Sequence, residues 1–145
     1  MKKRTGDPWM PAPEYGRSLT GLGVNLLVTD VGRAIAFQRT VLEAEPVYAD
    51  PDFAVMRGNG SEWMLHADHT YDRHPLRRRA MENGERGSGM ELRLHGCDPD
   101  RAEAAALAAG YEVLASAADK PHGLREACIV DPDGYVWVPD IPLRR

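Results

Sequence analysis

Three groups of side chains in the sequence could carry chemistry. The first is the stretch from His66 to His74, in which His66, Asp68, His69 and His74 have the donor types of a metal site or an acid/base centre. Adjacent strand positions alternate faces, so His66 and His69 diverge if the strand continues, and the segment reads as entering an exposed loop. His66 alone, at the end of its strand, is the better candidate for a ligand hydrogen bond. The second group is Glu91, Arg93 and His95, at every second position. That spacing places all three on one face of a strand, where Glu91 and Arg93 either satisfy each other or offer an acidic and a basic contact to a polar ligand. The third is the only cysteine pair, Cys97 and Cys128. It is too sparse for a disulfide framework and too widely spaced for a CxxC motif, and nothing singles out Cys97, which follows a strand, as a nucleophile. Both read as reduced thiols.

The elements that must position these groups follow from the apolar pattern. The chain has 145 residues, enough for one domain, and its 14 glycines and 11 prolines demand many turns. Residues 1–18, with Pro8, Pro11, Pro13 and Gly16, read as an extended arm carrying Trp9 and Tyr15. Trp9 is expected over the cleft mouth or a neighbouring subunit, or simply pins the arm. Residues 24–28 have a strand pattern, Asp30 suits a helix N-cap, and residues 33–42 carry an apolar helical stripe broken only by Gln38. Three short strands follow, at 46–49, 53–57 and 62–66, the last two joined by Asn59-Gly60, a hairpin signal. After a charged linker the order returns: a strand over 90–94, a helix over 101–109 ended by Gly110, and strands over 111–115, 124–130 and 135–139.

Gly23 thus corresponds to Glu91, and Gly60, Trp63 and Met64 correspond to Gly134, Trp137 and Val138. A duplicated module of about 50 residues explains this. The expected fold class is α+β: two β-α-β-β-β modules forming a curved mixed sheet with helices outside and a central cleft inside. The boundaries are an arm at 1–18 and a single domain at 19–143, made of module one at 19–70, a linker at 71–88 and module two at 89–143.

With these elements in place, the chain resembles the glyoxalase/bleomycin resistance/dioxygenase superfamily, the vicinal oxygen chelate fold. The resemblance rests on Val24-Asn25-Leu26-Leu27-Val28-Thr29-Asp30 leading into Ala34-Ile35-Ala36-Phe37. A more specific stretch is Gly123-Leu124-Arg125-Glu126, followed by Asp131-Pro132-Asp133-Gly134-Tyr135-Val136-Trp137. It implies a divalent metal held by His, Gln or Glu at four positions, which fall here on Gly23, Met64, Glu91 and Val138. Gly and Val supply no donor and a thioether prefers soft metals, so no cofactor is expected and a divalent ion is disfavoured.

Strand phase assigns Val24, Leu26, Val28, Trp63, Leu65, Leu92, Leu94, Tyr135 and Trp137 to the helix-covered face. The opposite face supplies the expected ligand contacts: Asn25, Glu62, Met64, His66, Glu91, Arg93, His95 and Val138. No catalytic residue is assigned. The leading functional expectation is a metal-independent, homodimeric small-molecule binding protein, similar to the antibiotic-sequestering branch of the superfamily, with a cationic or amphipathic ligand. The alternative is a lyase, isomerase or dioxygenase, working through a displaced metal site built from His66, His95 and Glu91 or through Glu91 or His66 as base. Eighteen Lys and Arg against 22 Asp and Glu give a net charge of −4, which argues against a nucleic-acid partner, and the cluster Arg77-Arg78-Arg79 reads as a solvated loop. No apolar run is long enough for a membrane span or a signal peptide, so a cytoplasmic protein is expected.

Overall fold

A short apolar run after Gly23 builds β1 (Asn25–Val28), and the Asp30 side chain then accepts a hydrogen bond from the Arg33 N–H at 2.8 Å. That cap starts α2 (Val31–Leu42). Strands β2 (Glu45–Ala49), β3 (Phe53–Gly58) and β4 (Ser61–Ala67) complete the first module. Asn59 and Gly60 both take positive φ, 47° and 81°, as a tight two-residue hairpin between right-twisted strands requires. The second module repeats the order with β5 (Leu92–His95), α4 (Pro99–Ala109), β6 (Glu112–Asp119), β7 (Leu124–Val130) and β8 (Val136–Pro142). The computed structural model describes residues 1–82 and 86–144, so part of the expected linker, residues 83–85, lies outside the described residues.

Each module forms its own four-stranded mixed sheet, ordered β1-β4-β3-β2 and β5-β8-β7-β6. The pairs β1/β4 and β5/β8 are parallel and the others antiparallel. The expected pair of β-α-β-β-β modules is therefore present, as two separately hydrogen-bonded sheets. One continuous core serves both. It takes Leu26, Val28, Trp63 and Leu65 from the first sheet, Leu94, Ile129 and Trp137 from the second, and Phe37 and Val41 from α2, with Val24 and Leu92 packed against it. Trp63 and Trp137 meet there at 5.4 Å between ring centroids. The residues assigned by phase to the helix-covered faces are thus the ones that make the core, and the alternate residues face away from it.

Gln38, the polar break in the α2 stripe, is fully buried, and its side-chain oxygen accepts the Trp63 indole N–H at 3.0 Å. Gln38→Leu is expected to lower unfolding free energy by about 1–3 kcal/mol, because it orphans a buried donor, whereas an exposed glutamine would cost far less. Chemical denaturation of the two proteins measures this.

The arm and the linker each differ from the sequence expectation. The arm is not wholly extended, since Ala12–Ser18 forms the short helix α1; Pro13 lies in the first turn, where a missing N–H removes no intrahelical bond. The arginine cluster is not a loop but part of α3 (Pro75–Glu82), which starts on proline and runs through good helix formers. Among the described residues no helix is long and apolar enough to cross a membrane.

Candidate functional site

The arm lies across the open face of the first sheet. Its start is held by Asp52, whose buried carboxylate accepts the Lys3 N–H at 2.6 Å and the Arg4 N–H at 3.1 Å and contacts His69 Nε2 at 2.7 Å. Burial alone would raise the Asp52 pKa, but the bonds from His69, Lys3 and Arg4 outweigh it and bring it down to about 2. Farther along, the Trp9 ring stacks on Tyr48 at 4.6 Å and 18°, and Tyr15 packs against both Trp9 and Phe53. The Tyr48 hydroxyl donates to Asp50 at 2.6 Å, and that bond, with burial, pushes its pKa up to about 12.

Between arm and sheet lies a cleft of about 680 Å³ with a mainly apolar lining. Trp9, Met10 and Tyr15 form its roof, and Phe53, Met64 and His66 come from the strands. This size and character suit a small organic ligand. Asn25 sits behind His66: its side-chain NH₂ donates to the Tyr71 hydroxyl at 2.9 Å, and its carbonyl oxygen meets His66 Nδ1 at 2.5 Å. Burial lowers the His66 pKa, with the charge of Asp50 opposing it, so the ring is neutral at pH 7.

Of the expected ligand contacts, Met64 and His66 line this cleft and Asn25 orients His66. Glu62 lies beside them in an ion pair with Arg57 at 3.1 Å. Burial first and the neighbouring Glu62 second raise the Tyr15 pKa. The other four, Glu91 just before β5 and Arg93, His95 and Val138 in the second sheet, do not line the cleft. Arg93 donates to Glu91 at 2.6 Å, to Glu126, and to Asp140 at 3.3 Å, while His95 Nδ1 meets Asp140 at 2.7 Å. Val138, paired with Arg93, is fully buried. The stretch after His66 is not the expected exposed loop but a half-buried 3-10 turn, Asp68–Tyr71, in which Asp68 forms a two-pronged bond with Arg86 and His69 goes to Asp52, while His74 Nδ1 farther on accepts the Leu76 N–H.

Strand phase found Met64 and His66, but Phe53, Tyr48 and the anchor Asp52 were missed. Phe53 pairs with His66 across β3/β4, so extending the phase rule through the Asn59-Gly60 hairpin identifies it. The anchor had no comparable signal, because an Asp-Pro-Asp sequence reads as a turn.

The donor set that the superfamily resemblance assigns to a divalent metal does not fit one here. Gly23 and Val138 have no donor atom, Met64 offers a thioether, and Glu91 is engaged by Arg93. Among the described residues no group of three or more His, Cys, Asp or Glu side chains is arranged to hold an ion.

No protein-family model and no curated protein matches the sequence. Solved structures do match. A glyoxalase/bleomycin resistance protein/dioxygenase family enzyme from Burkholderia phytofirmans PsJN aligns with a TM-score of 0.66 at 20% identity, covering 83% of this chain and 96% of that one. TioX from Micromonospora sp. ML1 aligns at 0.63 and 20% identity, covering 87% and 98%. FosX, a fosfomycin resistance protein from Listeria monocytogenes, aligns at 0.60 and 18%, covering 85% and 93%. With the tandem β-α-β-β-β modules and their parallel β1/β4 and β5/β8 pairs, these matches establish that the chain has the glyoxalase/bleomycin resistance/dioxygenase fold.

Proposed function

We propose that the protein binds and sequesters a small organic molecule, without a metal, in the cleft between its N-terminal arm and first sheet. The observation that carries this is the preformed, aromatic-roofed cleft with one oriented polar side chain, His66, in its wall. The fold neighbour FosX is a fosfomycin resistance protein, which supports an antibiotic as the molecule sequestered. A homodimer belongs to the same reading. Leu22 is exposed between arm and β1, and Met90 is exposed before β5, apolar surface that a second copy would cover.

Titration with an antibiotic panel, followed by tryptophan emission, tests the reading. A binder is expected to change the emission of the native protein and of a chelator-dialysed sample equally, and to leave Trp9→Phe nearly silent, because Trp63 and Trp137 are buried in the core. Loss of binding on chelation overturns metal independence, and a response undiminished in Trp9→Phe overturns the location. Light scattering during size-exclusion chromatography reads the dimer directly. A second reading, proton transfer by neutral His66, is favoured by the same Asn25 contact, and product analysis after incubation with each binder decides between them.

A further inference from the structure

We infer that the cleft selects a flat aromatic molecule carrying a hydrogen-bond donor toward His66 and an anionic group toward Lys2 and Arg4. This rests on the cleft being the binding site and reverses the ligand charge expected from the acidic composition.

The donor requirement follows from His66. Asn25 turns its NH₂ to the Tyr71 oxygen, which leaves its carbonyl oxygen for His66 Nδ1, so Nδ1 carries the proton. A neutral imidazole protonated there has a lone pair on Nε2. That nitrogen has no protein partner among the described residues, and the ring forms part of the cleft wall. A ligand hydroxyl or ring N–H would satisfy it, whereas a carbonyl or carboxylate at that spot would set lone pair against lone pair.

Flatness follows from the neighbours of His66. Phe53 lies 4.8 Å from the His66 ring, and Trp9 is within 26° of parallel to Phe53 at 6.2 Å. Met10 and Met64 add polarizable thioethers that adapt to a ring face or edge.

The charge preference follows from which ionic groups are already engaged. The Asp52 carboxylate is taken up by two backbone N–H groups and His69, and Asp50 by Tyr48 and turn N–H groups. The Lys2 and Arg4 side chains line the cleft and form no ion pair with a carboxylate among the described residues; the Arg4 guanidinium reaches only the Gly6 carbonyl, at 3.3 Å. Asp7 is the single acidic side chain opposing them in the lining besides Asp52. The unengaged charge at the cleft is therefore positive.

Calorimetric titration with four probes tests this: 6-hydroxy-2-naphthoate, 2-naphthoate, 2-naphthol and (6-hydroxy-2-naphthyl)trimethylammonium. The hydroxynaphthoate is expected to bind tightest, and loss of the hydroxyl, loss of the carboxylate or reversal of the charge each to weaken binding about ten-fold. His66→Phe is expected to abolish the preference for the hydroxyl, and Lys2→Ala with Arg4→Ala the preference for the anion. The probe comparison on the unaltered protein stands even if a variant does not fold. Equal or tighter binding of the cation, or a hydroxyl preference that survives in His66→Phe, overturns the inference. If the probes bind and perturb Trp9 but show no preference, the inference falls and the cleft remains the binding site. If no probe binds at millimolar concentration, both fall.

Discussion

Asp52→Ala is expected to detach the N-terminal arm while leaving the two modules folded. The carboxylate is buried and is the common acceptor for Lys3, Arg4 and His69, and no buried residue lies in α1 to hold the arm by packing alone. Hydrogen exchange over residues 1–18 should rise toward that of an unstructured chain, and affinity for any cleft ligand should fall on the order of 100-fold with the loss of the roof, about 3 kcal/mol. Stability gives a second readout. The folded pKa is about 2 against a reference of 3.8. The bonds to Asp52 therefore contribute roughly 2 kcal/mol, fully present above pH 4 and lost as the pH falls through 2. The stability gap between native protein and variant should close over that window. Unchanged exchange in the arm would sink the anchoring role.

Arg93→Met should produce the largest loss of stability. Arg93 is the shared counterion of Glu126 and Asp140, whose side chains are 9% and 1% exposed. Removing it leaves two acidic groups buried against each other with, among the described residues, only His95 and His122 as basic partners. The expected cost is about 3–5 kcal/mol at neutral pH, the range for breaking a buried pair by deleting one partner. Denaturation midpoints of the native protein and the variant measure it. At concentrations where the variant stays folded, cleft affinity should be within about two-fold of the native value, since Arg93 does not line the cleft. A mild effect on stability, or a large one on binding, would return Arg93 to the ligand site suggested by its spacing with Glu91.

These two residues mark where the sequence was legible and where it was not. Strand phase has a period of two, so Leu26, Val28, Trp63, Leu65, Leu94 and Trp137 could be assigned to the core without any tertiary information. Met64 and His66 follow from the same rule applied to the opposite face. The role of Arg93 does not, because Glu126 and Asp140 come beside it only through the register of three strands, β5 with β8 and β8 with β7. The arm is harder still. Its aromatic residues were visible, but Trp9 finds Tyr48 and Phe53 through side-chain packing that no local pattern encodes. Helix α3 was obscured for a different reason: a run of arginines looks solvated whether or not its backbone is helical.

No residue before Val24 enters the hydrophobic core, yet most of the cleft roof comes from residues 2–19. The shared core and most of the cleft roof are thus encoded in different parts of the chain. Substitutions at Trp9, Met10 or Tyr15 can alter the roof without drawing on the core that the two modules share. In evolutionary terms the arm is a cassette, whose exchange would reshape the cleft and leave the scaffold intact.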